Sequence, residues 1–131
     1  VLLKEAQKME NYGAEAIILM DSAGAYLPSD VVNKVGYLVK KLAIPVGFHA
    51  HNNFGLGVAN TITAIESGAS IIDATASGFG AGSGNAILEV LVVILQKTLV
   101  QTAKLLMSLI CQKTIWIILM MLVWIFLLSI K

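Results

Sequence analysis

Three times between Ala14 and Gln96 the sequence passes through a short apolar stretch of strand length, a turn-rich segment and then an amphipathic helical pattern. Parallel strands need a crossover between them, and a helix is the usual one, so this alternation admits few folds. The first strand is expected over 16–20, delivering Asp21-Ser22-Ala23-Gly24 into a loop. Pro28, Ser29 and Asp30 then open a helix whose apolar stripe is Val31, Val32, Val35, Leu38, Val39 and Leu42. A second strand, 46–48, is followed by a helix over 58–66, and a third, 70–74, by a glycine-rich loop and a helix over 86–96. An additional amphipathic helix, 2–12, precedes the first strand and stops at Gly13. The pattern predicts an α/β fold and leaves two architectures open, a doubly wound sheet or a (β/α)8 barrel. A barrel takes about 250 residues, so on that reading about three βα units make roughly half of one.

The second strand delivers His49-Ala50-His51-Asn52-Asn53. Side chains alternate faces along a strand, so two histidines two positions apart project the same way and offer two imidazole nitrogens to one cation. They fall at a strand's carboxyl end, where α/β folds place their chemistry. The plainer reading is a hydrogen-bonded pair at the edge of a core. Polar residues bunched beside it, Asn52 and Asn53, are costly unless solvated, bonded or functional. A third, hard ligand is needed, most naturally a carboxylate, and such a site suits a divalent ion that holds a substrate oxygen. Asp21 is a ligand, an acceptor steadying an imidazole, or a cap for its own turn. Ser22 is a donor for a bound carboxylate or ordinary turn chemistry. The loop Gly78 to Asn85 lacks the last glycine of the dinucleotide fingerprint and the acidic residue that follows it, so tight backbone packing explains it better, with Asn85 aimed at the site or capping the next helix.

Charge argues against a nucleic-acid partner. The nine basic residues are all lysine, eight acids offset them, and no basic stripe forms. Cys111 is the only cysteine, which rules out an internal disulfide and makes a reduced cytoplasmic setting the default. From Lys97 the composition changes: every glycine lies at or before Gly84, the last acid is Glu89, and both tryptophans, Trp116 and Trp124, come later. Residues 1–96 are therefore expected to form the catalytic part and 97–131 an apolar helical tail. Thr114 to Ile130 is seventeen uncharged residues between Lys113 and Lys131, the lower limit for a spanning helix. The tail reads either as a marginal membrane anchor, with the chain then membrane-attached, or as the product of a frame shift near Lys97.

Four ordered blocks carry a resemblance. Asp21-Ser22-Ala23-Gly24, the run from Gly47 through His49-Ala50-His51-Asn52-Asn53 to Asn60, Ile72-Asp73-Ala74-Thr75, and Gly80-Ala81-Gly82-Ser83-Gly84-Asn85-Ala86 with Glu89 closely resemble the 4-hydroxy-2-oxovalerate aldolases. These are part of a group of metal-dependent barrels that includes 3-hydroxy-3-methylglutaryl-CoA lyase and 2-isopropylmalate synthase. The resemblance implies a partial (β/α)8 TIM barrel and a reversible cleavage of 4-hydroxy-2-oxo acids to pyruvate and an aldehyde. It implies a divalent metal, manganese first and magnesium or cobalt as alternatives, held by His49 and His51. His49 and Ser22 would contact substrate, and Asn85 and Asp21 would either steady the residues that hold the metal or be weak ligands themselves. The alternatives are another carbon-carbon lyase or acyltransferase of the group, or a non-catalytic membrane-anchored remnant. The family's carboxylate ligand, its arginine and its histidine base would precede Val1, leaving no catalytic residue of the family in this stretch. A fragment inactive by itself is therefore expected. The region that docks an acylating acetaldehyde dehydrogenase would follow the last matched helix.

Overall fold

Helix α2 (Pro28–Lys41) begins at its sequence signals: Pro28 sits in the first turn, and Asp30 Oδ2 accepts the Leu27 amide at 3.0 Å. A fixed φ and an acid near the helix N-terminus both favour a start there. The structure is a computed structural model that describes the backbone of residues 1–102 and side chains through 97. The candidate span 114–130 and most of the expected tail lie outside the described residues. Among the described residues no helix is long and apolar enough to cross a membrane.

Three strands, β1 (Ile17–Asp21), β2 (Val46–Ala50) and β3 (Ile71–Ile72), lie side by side in that order and all run parallel. Helix α1 (Leu2–Asn11) precedes β1, α2 joins β1 to β2, α3 (Gly57–Glu66) joins β2 to β3, and α4 (Leu88–Thr102) follows a single 3₁₀ turn at Ala76–Gly78. Helix α4 continues past the boundary expected at Lys97. Residues Val1–Val93 form one compact unit, which holds the sheet.

The period-two alternation of the strands decides which face is buried. Ile17, Leu19, Val46, Phe48 and Ala50 enter one core with Ala6 of α1, Val31, Val35 and Leu38 of α2, and Ala64 of α3. Phe48 is fully buried at its centre. The opposite face is aligned by the pairing of Ile18 with Gly47, Gly47 with Ile71, and Met20 with His49. Ile18 and Met20 are 41% and 53% exposed, so this face is open. Helices α1, α2 and α3 thus all pack into the core on one side, whereas a doubly wound sheet is covered on both.

Two expected boundaries move for an identifiable reason. The third strand pairs only at Ile71 and Ile72, and α4 starts at Leu88 instead of residue 86. Residues between them are committed to other backbone bonds: Thr75 bridges Ile87, Asn85 bridges His51, and the Ala86 amide donates to the Ala50 carbonyl at 3.1 Å. The Ala86 carbonyl already accepts the Thr75 amide at 3.0 Å, so it is not free to accept the amide four residues on that a helix beginning at 86 requires.

Candidate functional site

The carboxyl ends of the strands are laced together by backbone hydrogen bonds. The Phe54 amide donates to Gly24 at 3.0 Å, the Asn52 amide to Gly84 at 2.8 Å, and the Thr75 amide to Ala86 at 3.0 Å. The loop after β1, the histidine turn after β2 and the glycine-rich loop before α4 therefore form one rim. Gly24, at φ +58°, lies directly under the turn: a Cβ there would sit 2.6 Å from the Asn53 nitrogen and 2.9 Å from the His51 carbonyl carbon. Only glycine permits both the backbone angle and that approach.

His49 ends the open face of β2, and His51 follows just beyond the strand in an antiparallel bridge with Asn85. Their rings meet edge to face, centroids 5.0 Å apart at 74°. Both are half-buried. A carboxylate does reach one of the two rings, from Asp73: its Oδ1 lies 2.7 Å from His49 Nδ1. Asp73 stands within the block Ile72-Asp73-Ala74-Thr75 but carried no expected role. Its place follows from the strand register, since pairing Gly47 with Ile71 brings residue 73 level with His49, and neither strand carries that register in its own residues.

Asn85 is held at the rim by its backbone, and its side-chain nitrogen donates to the Phe79 carbonyl at 3.2 Å. Its Oδ1 is buried and without a hydrogen-bond partner. A buried amide oxygen left unsatisfied costs about 1–3 kcal/mol, which makes it a natural acceptor for a ligand. Asn85 does not cap α4, which begins three residues later.

The other polar residues serve the scaffold. Asp21 is buried, with Oδ1 accepting the Ala25 amide at 3.1 Å and Oδ2 the Tyr26 amide at 3.0 Å, so its carboxylate closes its own turn. Asn60, also buried, donates from Nδ2 to the Tyr26 carbonyl at 2.7 Å and anchors the same loop. Asn52 Oδ1 accepts the Gly57 amide at 2.8 Å at the start of α3, and Asn53 Oδ1 accepts the Ser83 amide at 3.3 Å. Ser22 is exposed on the loop that Asp21 and Asn60 fix. Among the described residues no three His, Cys, Asp or Glu side chains are arranged to enclose a cation.

The glycine-rich loop is shaped by close backbone packing. At Gly84, φ +86°, a Cβ would overlap the Gly78 carbonyl oxygen. Gly84→Ala is expected to destabilise the protein by about 2 kcal/mol or more, from a disfavoured backbone angle and a clash that only loop movement relieves. Urea denaturation of the two proteins measures it, and a loss below about 0.5 kcal/mol would show that the loop yields freely. Across this loop both oxygens of Glu89 accept the Ser77 amide, each at 3.0 Å, supporting a non-glycine residue at φ +53°.

Comparison with known proteins places this arrangement. A family model described as HMGL-like matches residues 1–113. The chain belongs to the HMGL-like family. It is 59% identical over 97 residues to the 4-hydroxy-2-oxovalerate aldolase of Pectobacterium atrosepticum, covering 74% of this chain and 28% of that protein. It is 64% identical over 88 residues to 4-hydroxy-2-oxovalerate aldolase 2 of Salinispora arenicola, covering 67% of this chain and 25% of that one. The chain thus spans between a quarter and about three-tenths of the length of the curated relatives it matches. Among solved structures it is similar to the N-terminal domain of a Bacteroides vulgatus protein, with TM-score 0.62 and 42% identity over 65% of this chain and 28% of that one. It is also similar to the carboxyl transferase domain of Rhizobium etli pyruvate carboxylase in a structure with pyruvate, with TM-score 0.67 and 25% identity over 73% of this chain and 16% of that one. The HMGL-like match extends past Lys97, where the composition changes.

Proposed function

We propose that this HMGL-like chain is one sector of a divalent-metal-dependent aldolase, a lyase that cleaves 4-hydroxy-2-oxovalerate and related 4-hydroxy-2-oxo acids to pyruvate and an aldehyde. The observation that carries the reading is the His49–His51 pair, rings 5.0 Å apart at the carboxyl end of β2, in a chain more than half identical to 4-hydroxy-2-oxovalerate aldolases where it matches them. The one-sided packing of helices on a parallel sheet supports a sector of a (β/α)8 barrel, with the open face of Ile18, Met20, His49 and Ile71 as a stretch of barrel interior.

The donor set fits a divalent cation in part. His49 Nε2 is the ring nitrogen not engaged by Asp73, His51 brings a second imidazole, and Asn85 Oδ1 is an unsatisfied amide oxygen on the same rim. When bound, manganese, or magnesium or cobalt in its place, supplies Lewis acidity for a 2-oxo group and for the negative charge that develops as the carbon-carbon bond breaks. On the protein side, His49 and His51 orient the site and Ser22 offers a hydroxyl donor to the substrate carboxylate. Asp21 acts by holding the Ser22 loop in place. Two imidazoles and an amide make a weak site without a carboxylate ligand, and the chain has no arginine to steady an enolate. The 131 residues are therefore proposed to bind metal but not to turn substrate over by themselves. An acylating acetaldehyde dehydrogenase would engage segments after the matched helices, and the setting is the cytoplasm. A second reading keeps the 2-oxo acid and changes the reaction to that of a carboxyl or acyl transferase; the similarity to a carboxyl transferase domain seen with pyruvate favours it.

The test is a chimera in which residues 14–96 replace the matching segment of the Pectobacterium atrosepticum aldolase. The expected outcome is pyruvate release from 4-hydroxy-2-oxovalerate that stops on chelation and returns with Mn2+. A folded chimera without metal-dependent pyruvate release contradicts the proposal.

A further inference from the structure

We propose that Asp73 is the positioning residue of the candidate site: its carboxylate fixes the Nδ1–H tautomer of His49 and so directs the Nε2 lone pair toward the cation. The geometry is a single short contact between residues 24 apart in sequence, Asp73 Oδ1 to His49 Nδ1 at 2.7 Å. An ionised carboxylate only accepts, so the ring proton must sit on Nδ1 and the acceptor lone pair on Nε2. The distance is in the range of charge-assisted bonds, which are shorter and stronger than neutral ones. The His49 side chain is 14% exposed and the Asp73 side chain 58% exposed, so the ring is confined while the carboxylate reaches it from the solvent side.

The sheet explains why residue 73 serves. The pairing of Phe48 with Ile72 ends β3 one residue before Asp73, and the chain then leaves the ladder toward its bridge between Thr75 and Ile87. Asp73 is thereby level with His49 yet free of strand pairing. Asp21, the other acid near the strand ends, has both oxygens committed to the Ala25 and Tyr26 amides. Asp73 is the carboxylate bonded to either imidazole among the described residues. A histidine ligand whose second nitrogen donates to a carboxylate is fixed in orientation and more basic toward metal.

The consequence for metal binding rests on the aldolase reading above, while the tautomer does not, and the experiment separates them. The full chain is labelled with 15N-histidine, kept free of metal and observed at a pH where imidazole is neutral, using two-bond 1H–15N correlations. Wild-type His49 is expected as Nδ1–H. Asp73→Ala is expected to shift it toward Nε2–H, and Asp73→Asn, which keeps an acceptor oxygen at the same place, to retain Nδ1–H. In a parallel Mn2+ titration Asp73→Ala is expected to weaken binding about 10–100-fold, with Asp73→Asn recovering most of the loss. Asp73 is exposed, so far-UV circular dichroism of both variants should match the wild type. An Nε2–H His49 in the wild-type chain overturns the proposal, as does an Asp73→Ala protein with unchanged tautomer and Mn2+ affinity. Equal losses of affinity in Asp73→Ala and Asp73→Asn, with the tautomer unmoved, overturn it too, because they make Asp73 a ligand instead. An Nδ1–H His49 that Asp73→Ala releases, in a chain that takes up no Mn2+, upholds the tautomer control and defeats the metal reading alone.

Discussion

His51→Ala, introduced into the chimera with the Pectobacterium atrosepticum aldolase, is expected to lower Mn2+-dependent pyruvate release by more than about 100-fold, beyond the 10–100-fold typical of losing a residue that only supports a ligand. The substitution removes one of two imidazoles from a rim whose remaining donors in this chain are His49 and an amide oxygen. It leaves the scaffold largely in place, because the links at this position are main-chain ones: the His51 amide donates to the Asp21 carbonyl at 3.4 Å, and His51 bridges Asn85 through backbone. The effect is therefore expected in activity and metal affinity, with the urea midpoint changed little. Raising Mn2+ should restore part of the rate if the loss is one of affinity. A His51→Ala chimera with wild-type turnover at limiting Mn2+ would remove His51 from the site.

Phe48→Ala is expected to cost about 3–5 kcal/mol of folding free energy, the range for removing a large aromatic from a packed interior. Phe48 is fully buried between the sheet and helices that contribute Val31, Val35, Leu38 and Ala64, all of them also without exposure. A domain of this size holds only about 5–15 kcal/mol, so such a loss brings the protein close to unfolding. It also reaches the site, since Phe48 adjoins His49 on the same strand and its backbone pairs with Leu19 and Ile72. Urea denaturation followed by circular dichroism measures the loss. Val32→Ala, at a position 51% exposed on α2, is the control and is expected to change stability by less than about 0.5 kcal/mol. A Phe48→Ala cost under about 1 kcal/mol would mean that the core is not centred where the burial places it.

The elements with strong local signals were readable to within a residue or two. Helix α2 starts at its Pro28 signal, and β1 and α3 follow their apolar patterns and bounding glycines. Helices carry their period in consecutive residues, so burial on one side of α2 needs no knowledge of what it packs against. The segment from Asp73 to Ile87 was harder because its structure is set by distant partners. In sequence a strand pattern runs to Ala74 and a helical one opens at Ala86, yet the backbone groups of Thr75, Asn85 and Ala86 go to Ile87, His51 and Ala50.

The same distinction governs the site. His49 and His51 announced themselves by spacing within one strand. Asp73 did not, because its meaning depends on the register between β2 and β3. Asn52 and Asn53, which drew attention as a polar cluster beside the histidines, are occupied by the Gly57 and Ser83 amides and act on the scaffold. Composition gave the right physical argument in each case, that buried or crowded polar groups need partners. It did not say whether the partner would be a ligand or a neighbouring loop.

The most direct measurement is a Mn2+ titration of the full 131-residue chain followed by electron paramagnetic resonance, with the His49→Ala, His51→Ala double variant alongside. Saturable binding of one ion to the wild-type chain is expected, with nitrogen hyperfine coupling from imidazole, and its loss in a double variant that remains folded. No saturable binding, or equal binding by the double variant, would contradict a metal site at the carboxyl end of β2.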